Sequence, residues 1–292
     1  MRGMQFLRLL PVMVCLVAAG IACDVRVGKD GVSVDVASGK ATDEWTRTYT
    51  LPKGGRLEII NVNGVIEVFP ATGSLVEVVA RREVRTRTDE EAKARLAKAE
   101  MVEDVGKDHV RIEMKPGEGQ NSFGPHGRVN IEYRVTVPPG LATSFRTENG
   151  AVRLENVQGR ITAVSTNGPV VGRGLSGSVD ASTVNGGIEI GLTTLDADSK
   201  ITTVNGPATL IVGAGVGAEL EAEAVNGGVV TQDGLPLTES DRTPRRVAGR
   251  LNQGGPRITV QTTNGGIRVG VTDEFARGRG ERRERRRPPA GG

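Results

Sequence analysis

The chain has 292 residues, a formal net charge of +3 and an aromatic content of only 3%. So few aromatic side chains argue against a globular core built around large rings and favour a core of small and β-branched side chains. The chain contains two cysteines, which excludes a disulfide-stapled scaffold and leaves no set of thiolates for a zinc or iron–sulfur site. We therefore expect no cofactor.

Residues 1–22 are predicted to be a secretory signal peptide. Arg2 and Arg8 form its basic start, and the apolar run at residues 9–19 is too short to span a membrane comfortably. Small residues then lead up to Cys23. This arrangement is typical of an export signal rather than of a membrane-spanning helix.

The segment that ends at Cys23 resembles the lipobox of bacterial lipoproteins, in which the cysteine becomes the lipidated N-terminus. The resemblance implies that Cys23 attaches the protein to a membrane and that residues 23–43 serve as anchor and linker. Cys15 would leave with the signal peptide, so Cys23 would be the single cysteine of an exported chain, which is unusual unless it is modified. The alternative is ordinary cleavage, with Cys23 incidental.

Basic residues are concentrated at the two ends of the chain. The signal peptide carries +2 and residues 274–292 carry +4, which leaves about −3 for the body between them. Residues 273–292 contain few apolar side chains to bury, so we expect a disordered Arg-rich tail. Such a tail can contact anionic lipid headgroups, bind nucleic acid or simply keep the protein soluble. Export argues against nucleic acid, and no nucleic-acid partner is expected.

Residues 44–140 are predicted to form an N-terminal β-rich cap. Alternating apolar and polar residues indicate strands at residues 57–69, 75–87, 110–114 and 129–137. Thr88 and Glu91 form a capping box before a run of strong helix formers. The sequence therefore predicts one short helix near residues 89–103.

An Asn–Gly pair recurs through residues 141–272. The pairs are Asn149–Gly150, Asn167–Gly168, Asn185–Gly186, Asn205–Gly206, Asn226–Gly227 and Asn264–Gly265, and Asn63–Gly64 is a seventh pair far upstream. Successive asparagines of the six are 18, 18, 20, 21 and 38 residues apart. A period near 19 is typical of a solenoid. The gap of 38 suggests that one coil has lost its pair where a loop at residues 232–255 is inserted.

Two folds accept this period. An antiparallel meander would use each pair as a hairpin turn. A parallel β-helix would stack each corner on the next at about 4.8 Å, close enough for asparagine side chains to bond to one another in a ladder. Because asparagine itself recurs, and not merely any turn former, we favour an all-β parallel β-helix with coils of about 18–21 residues.

Alternation within the repeats predicts which side chains face the core. The inward-facing residues are expected to be Val152, Leu154, Ile161, Ala163, Val179, Ala181, Ile188, Ile190, Ala208, Leu210, Leu220, Ala222, Ile267 and Val269. Arg153, Glu189, Thr209 and Arg268 stand between them and are expected to face solvent. This pattern builds a core and is not by itself a binding code.

These features together resemble the DUF4097 adhesin family. They are the lipoprotein-like leader, the mixed cap, the strand VNIEYRVTVPPG and the repeated T-x-N-G-x-I-x-V units. The resemblance covers residues 44–272. It implies a bacterial envelope protein with a β-helix fold, and it supplies no catalytic residues.

The sequence contains few residues arranged for chemistry. His109 and His126 have no partner at metal-ligand spacing. The carboxylates Asp180, Asp196, Asp198, Glu219, Glu221 and Glu223 do not recur at one phase of the repeat, as a polysaccharide lyase or hydrolase would need. Residues 147–272 contain no Phe, Tyr or Trp on which a sugar could stack. We therefore predict that the protein is not an enzyme.

The inserted loop is the best candidate for a protein or glycan partner, because loops that interrupt a solenoid commonly carry function. Its charged residues are Asp233, Glu239, Asp241, Arg242, Arg245 and Arg246. The alternative is a flexible insertion without a role. The function predicted is a non-catalytic envelope or surface scaffold, adhesive in character. A polysaccharide-binding or polysaccharide-cleaving protein and a periplasm-facing envelope-stress sensor component are the alternatives.

Overall fold

The structure is a computed structural model that describes residues 23–28, 31–36, 39–115 and 128–272. The predicted signal peptide at residues 1–22, His126 and the predicted tail at residues 273–292 lie outside these ranges. No helix within the described ranges is long and apolar enough to cross a membrane.

The first half of the chain contains nine strands and a helix among its described residues. They are β1 Cys23–Gly28, β2 Gly31–Val36, β3 Gly39–Thr50, β4 Arg56–Asn63, β5 Ile66–Pro70, β6 Leu75–Thr86, α1 Asp89–Lys98, β7 Glu100–Val105, β8 His109–Lys115 and β9 Val129–Val137. The strands β1 and β2 pair only with each other, as an antiparallel hairpin.

The second half is built of strands alone over its described residues. They are β10 Leu141–Asn149, β11 Val152–Glu155, β12 Gln158–Asn167, β13 Val170–Asn185, β14 Ile188–Thr194, β15 Ser199–Asn205, β16 Ala208–Val212, β17 Ala218–Asn226, β18 Val229–Thr231, β19 Leu237–Arg242, β20 Arg246–Leu251, β21 Arg257–Asn264 and β22 Ile267–Val271. The all-β prediction is confirmed.

The helix begins where the capping box predicts and ends early. The Thr88 hydroxyl accepts a hydrogen bond from the Glu91 backbone N–H at 3.2 Å. The predicted helix over residues 89–103 is too long, because α1 ends at Lys98 and the next residues form β7, which pairs with β8. Pairing across a sheet outweighs the helix propensity of these residues.

Strands from successive repeats pair in parallel, in two stacks. We call the strands that end in the Asn of each pair stack A and those that follow it stack B. The spatial order is β4, β10, β12, β13, β15, β21, β17 in stack A and β5, β11, β13, β14, β16, β22, β18 in stack B. The sixteen-residue β13 belongs to both stacks. Each Asn–Gly pair is the corner between them.

The stacking order differs from the chain order at one end. Asn205 is in register with Asn264, and Asn264 is in register with Asn226. The last coil of the chain therefore lies between the two coils that precede it in sequence. The prediction that the gap of 38 residues marks a coil without its pair is wrong, because that gap contains a β-hairpin and a return crossing. Sequence spacing reports the order along the chain and not the order in space.

The return crossing needs unusual backbone conformations. Asn252 has a φ of 51° and Gly254 a φ of 77°, both in the left-handed region. The Asn252 amide donates to the carbonyl oxygens of Ala214 and Val216 at 3.1 and 2.7 Å. These bonds hold the crossing against the start of β17 and let the chain enter the stack as β21.

Residues 56–70 also belong to the repeat, although they were assigned to the cap. The Asn63 corner is in register with Asn149, so the Asn63 coil is the first of seven coils in the described residues. The stacks continue beyond it, since β8 pairs in parallel with β4 and β9 with β5. The antiparallel strands β7, β6 and β3 then close this end.

The inward side chains of both stacks form one hydrophobic core. All fourteen of the residues predicted to face inward are buried. Phe145 is the one aromatic side chain of residues 141–272 and is fully buried among aliphatic groups. Burial of alternate residues along each strand fixes the register of the whole stack, because a shift by one residue would expose the apolar set.

The close spacing of the corners makes a direct prediction about glycine. A Cβ atom at Gly186 would collide with the Gly168 carbonyl oxygen, whereas a Cβ at Gly215 would meet nothing within 4 Å. Neither glycine has a positive φ. We expect Gly186→Ala to lower the free energy of unfolding by about 1–3 kcal/mol through overpacking, and Gly215→Ala to leave it nearly unchanged. Urea denaturation followed by circular dichroism measures both, and equal losses would contradict this packing.

Candidate functional site

The asparagines of the seven corners form one continuous ladder. Each side-chain amide donates from Nδ2 to Oδ1 of the neighbour on the cap side. The six bonds are Asn149 to Asn63 at 3.1 Å, Asn167 to Asn149 at 2.9 Å, Asn185 to Asn167 at 2.8 Å, Asn205 to Asn185 at 2.9 Å, Asn264 to Asn205 at 2.8 Å and Asn226 to Asn264 at 2.9 Å. An asparagine suits this position because its amide is both donor and acceptor.

The glycine after each asparagine lets neighbouring corners approach. At Gly150, Gly168, Gly186, Gly206, Gly227 and Gly265 an added Cβ would strike a carbonyl oxygen of the adjacent coil. The Gly168 N–H donates to the Asn185 carbonyl oxygen at 3.0 Å, and five other corner glycines make the equivalent bond. The predicted corner residues are therefore brought together, and each of them has a structural role.

A column of hydroxyl groups beside the ladder was missed by the sequence analysis. Thr147, Ser165, Thr183, Thr203 and Thr262 are buried, and each hydroxyl donates to the corner glycine carbonyl of the coil on the cap side, at 2.8–3.2 Å. The signal was visible as a Ser or Thr two residues before five of the seven asparagines. These bonds supply a donor to half-buried carbonyl oxygens of the corners, and at Gly64 the Asn61 amide supplies a second one at 3.1 Å.

The predicted partner loop is largely a β-hairpin that covers one end of the stacks. Within residues 232–255, β19 pairs with β20, and β20 pairs antiparallel with the outer edge of β17. The interpretation as a flexible insertion is wrong for this reason. An uncovered β17 would offer unpaired backbone groups to other chains, so the hairpin closes the end opposite the cap.

The charged residues of the hairpin bond mostly to one another or to β17. Arg246 forms ion pairs with Asp241 at 2.6 Å and with Glu221 at 3.2 Å, and the hydrogen bond to Glu221 raises the pKa of Arg246. The Arg242 guanidinium donates to Thr231 Oγ1 at 3.0 Å. The Arg245 carbonyl oxygen accepts from the Ala224 N–H at 2.9 Å.

Asp233 and Glu239 are the other two charged residues of the predicted loop. Asp233 is exposed in the turn before β19, and Glu239 is on β19 itself. Partner binding by the six residues stays a prediction. Arg246 and Arg242 fasten the hairpin to Glu221 and Thr231 at the end of the two stacks.

Three of the six carboxylates considered for polysaccharide chemistry are engaged in the fold, and one of them, Glu221, pairs with Arg246 as described above. Asp198 accepts a hydrogen bond from the Arg257 N–H at 2.8 Å, and Glu219 pairs with Arg250 at 3.3 Å. Asp180 lies in register beside Lys200. Among the described residues, no three His, Cys, Asp or Glu side chains come together in a way that could hold a metal ion.

The remaining polar candidates lie at the cap end. His109 contacts Asp108 at 3.2 Å and Asp104 at 3.6 Å on the surface. The Tyr49 hydroxyl donates to Glu103 at 2.5 Å, and burial together with this carboxylate raises the pKa of Tyr49 above its usual range. Cys23 is the first residue of β1 and is in register with Val36. Lipidation of Cys23 stays a prediction.

One surface of stack A differs from its surroundings in carrying no charge over four consecutive coils. We call it the central strip and define it as the residues one and three positions before Asn167, Asn185, Asn205 and Asn264. Its members are Val164, Thr166, Ser182, Val184, Thr202, Val204, Gln261 and Thr263. Charged residues adjoin it, with Arg146 and Glu148 on the coil at one end and Glu223 on the coil at the other.

The ladder predicts a difference between interior and terminal asparagines. Asn185 makes two ladder bonds and Asn226 makes one. At about 1 kcal/mol for each bond lost, we expect Asn185→Ala to lower the free energy of unfolding about twice as much as Asn226→Ala. Denaturant titration of the two variants against the parent chain provides the measurement. A larger loss at Asn226 would contradict the ladder as a source of stability.

Part of this chain is similar to a known protein family. Residues 127–270 match the family model Toastrack DUF4097, and no curated protein matches the chain. The sequence resemblance was predicted to cover residues 44–272, but the matched segment begins only at residue 127. The part of the cap before residue 127 is therefore outside the match.

Several solved structures are similar to this chain at low sequence identity. A "putative cell adhesion protein" from Clostridium sporogenes is 12% identical, with a TM-score of 0.47 over 80% of this chain and 100% of its own. A "putative adhesin" from Bacteroides fragilis is also 12% identical, with a TM-score of 0.34 over 79% of this chain and 97% of its own. A "putative lipid binding protein" from Parabacteroides distasonis is 10% identical, with a TM-score of 0.27 over 81% and 98%.

The family assignment depends on the family model, which spans six of the seven asparagine corners. The resemblance seen in the repeated units is confirmed: this chain belongs to the Toastrack DUF4097 family through residues 127–270.

Proposed function

We propose that this protein is a non-catalytic scaffold of the bacterial cell envelope that binds another protein through the central strip. The observation that carries the proposal is the absence of charge on this strip, on an outer face whose neighbours are charged. Desolvating an uncharged face costs less than desolvating ion pairs, so such a face is suited to contact with a partner.

The exposure of the strip supports this role. Val184 and Val204 are 42% and 38% exposed, and they lie next to each other on adjacent coils. Val225, on the terminal coil, continues the same row at 54% exposure. Side chains with branched Cβ atoms have few rotamers to lose on binding, so the strip is a preorganised surface.

The outer face of stack B offers a contrast. Arg153 pairs with Glu67 at 3.4 Å, and Arg173 pairs with Glu189 at 3.4 Å. Charged side chains on neighbouring coils thus satisfy one another there. A partner would have to displace or desolvate these pairs, which favours the central strip over the opposite face.

A protein is a better fit to the strip than a glycan. Sugar rings commonly stack on aromatic side chains, and residues 147–272 contain none. Valine and threonine side chains can pack against a second protein surface, while the exposed Thr166 and Thr263 provide hydroxyl groups for hydrogen bonds.

Anchoring at Cys23 would complete the scaffold. We interpret the two parallel stacks as a parallel β-helix, whose seven corners at about 4.8 Å spacing span about 29 Å from first to last. The lipid would be attached on the side of the chain that leads into the cap. The long axis of the stacks would then act as a spacer that carries the strip away from the membrane, and the Arg-rich tail would add contact with anionic lipid.

The anchor is tested with Cys23→Ala. We expect the parent protein to fractionate with membranes and Cys23→Ala to be soluble, because the thioether is the point of lipid attachment. Proteinase treatment of intact cells should cleave the exposed Arg242 and Arg245 turn if the protein is on the cell surface. Membrane association that survives Cys23→Ala would contradict the proposed anchor, and protection from proteinase would contradict an adhesive role outside the cell.

The strip is tested by crosslinking from two faces of the same molecule. A photo-crosslinking amino acid is placed at Val204 on the strip or at Thr209 on stack B, and intact cells are irradiated. We expect a protein adduct from position 204 only, and we expect Val184→Glu to reduce it several-fold because the charge must be desolvated. Thr162→Glu, on a neighbouring coil outside the strip, is the control. Equal adducts from both faces, or none, would contradict the proposal.

A further inference from the structure

The Asn226–Gly227 corner differs from the other six in the hydrogen bonding of its glycine. The N–H groups of Gly64, Gly150, Gly168, Gly186, Gly206 and Gly265 each donate to an asparagine carbonyl oxygen of the next coil, at 2.9–3.1 Å. The Asn226 coil is the last in the stack, so no further coil supplies an acceptor. Within the described residues, the Gly227 N–H makes no such bond.

This corner is also the least covered. Gly227 is exposed, whereas the other six corner glycines are half-buried. The terminal hairpin reaches over both flanks of the corner, since the Ala224 N–H donates to the Arg245 carbonyl oxygen and the Val229 N–H to the Pro244 carbonyl oxygen. It leaves Gly227 between them uncovered.

The asparagine at this corner is held at one end only. Asn226 donates to Asn264 Oδ1, but its own Oδ1 accepts from no further asparagine. Ala224 stands where five other coils place the buried hydroxyl that bonds to the adjacent coil. The terminal corner therefore lacks three of the contacts that restrain the interior ones.

We infer that Asn226 is a site of spontaneous deamidation, and that the fold protects the chemically identical pairs inside the ladder. The Gly227 backbone nitrogen attacks Cγ of Asn226, and a C–N bond forms as the Cγ–Nδ2 bond breaks. The proton lost from the Gly227 nitrogen leaves with Nδ2 as ammonia, which gives a cyclic succinimide. Water then opens one of its two C–N bonds and yields aspartate or isoaspartate.

The interior corners resist this reaction for reasons visible in the structure. Attack requires the glycine N–H to leave its bond to the next coil and the asparagine amide to rotate out of the ladder. At Asn185, for example, that means breaking the bonds to both Asn167 and Asn205. Gly227 has no equivalent bond to break, so only the Asn226 amide must move.

The product would weaken the end of the ladder. A carboxylate at residue 226 has no N–H to donate, so it would place two acceptor oxygens against Asn264 Oδ1. An isoaspartate would in addition lengthen the backbone by one carbon at a corner that is in register with Asn264. Deamidation would thus loosen the terminal coil while leaving the interior coils intact.

The test is peptide mass spectrometry of the folded, full-length protein after prolonged incubation at mildly alkaline pH. We expect deamidation at Asn226 at least about tenfold faster than at Asn185, which corresponds to about 1.4 kcal/mol of additional opening cost in the interior. The same chain unfolded in urea should react at all seven pairs at comparable rates, which establishes that the sequence around each pair is reactive.

Two results would overturn the inference. One is equal deamidation of interior and terminal pairs in the folded protein, and the other is an intact Asn226 under conditions in which the unfolded chain reacts. Asn226→Gln serves as the matched variant, because the longer side chain forms the cyclic intermediate far less readily. The acidic charge variant that deamidation produces on ion exchange should disappear in Asn226→Gln and persist in Asn185→Gln.

Discussion

The distance between adjacent corners governs this structure. Parallel strands lie about 4.8 Å apart, and at that distance a corner residue with a Cβ atom would strike the carbonyl oxygen of the next coil. Glycine removes the clash, its N–H bonds to the next coil and the preceding asparagine bonds to its equivalents above and below. Each bond is worth about 0.5–1.5 kcal/mol, but all of them repeat at every step, so the two stacks are held in one register from the first coil to the last.

At both ends of the stacks, the parallel pairing of the coils gives way to antiparallel strands that cover the outermost coil. At one end β7, β6 and β3 continue the sheets in antiparallel fashion, and at the other the hairpin β19–β20 covers the edge of β17. Both solutions protect edges that would otherwise recruit other chains. At the hairpin end, the Asn226–Gly227 corner lacks hydrogen bonds that the interior corners make. The hairpin and its Arg246–Glu221 pair thus belong to the closure of the fold, while the central strip on stack A is the surface proposed for a partner.

Much of the fold could be predicted from the sequence because the repeat encodes it locally. The Asn–Gly pairs, the alternation of residues such as Val152 and Leu154, and the Thr88 cap each depend on a few neighbouring residues. The helix end at Lys98 could not be predicted in this way, because residues 100–105 are recruited by β8. Nor could the central strip, since Val184, Val204 and Thr263 become neighbours only when their coils stack.

By itself, the sequence determined the all-β class, six of the seven corners, the inward-facing core residues and the resemblance to the DUF4097 family, because all of these depend on short, repeated patterns. Only the tertiary structure decided the order of the coils. The Asn264 coil lies between the Asn205 and Asn226 coils, and the hairpin that precedes it in the chain has no repeat pattern from which this order could be predicted. The tertiary structure also decided that the predicted loop is the closing hairpin and that one corner of seven is unprotected. Those properties depend on which backbone groups find a partner across the stack, and partners distant in sequence are not specified by any local pattern.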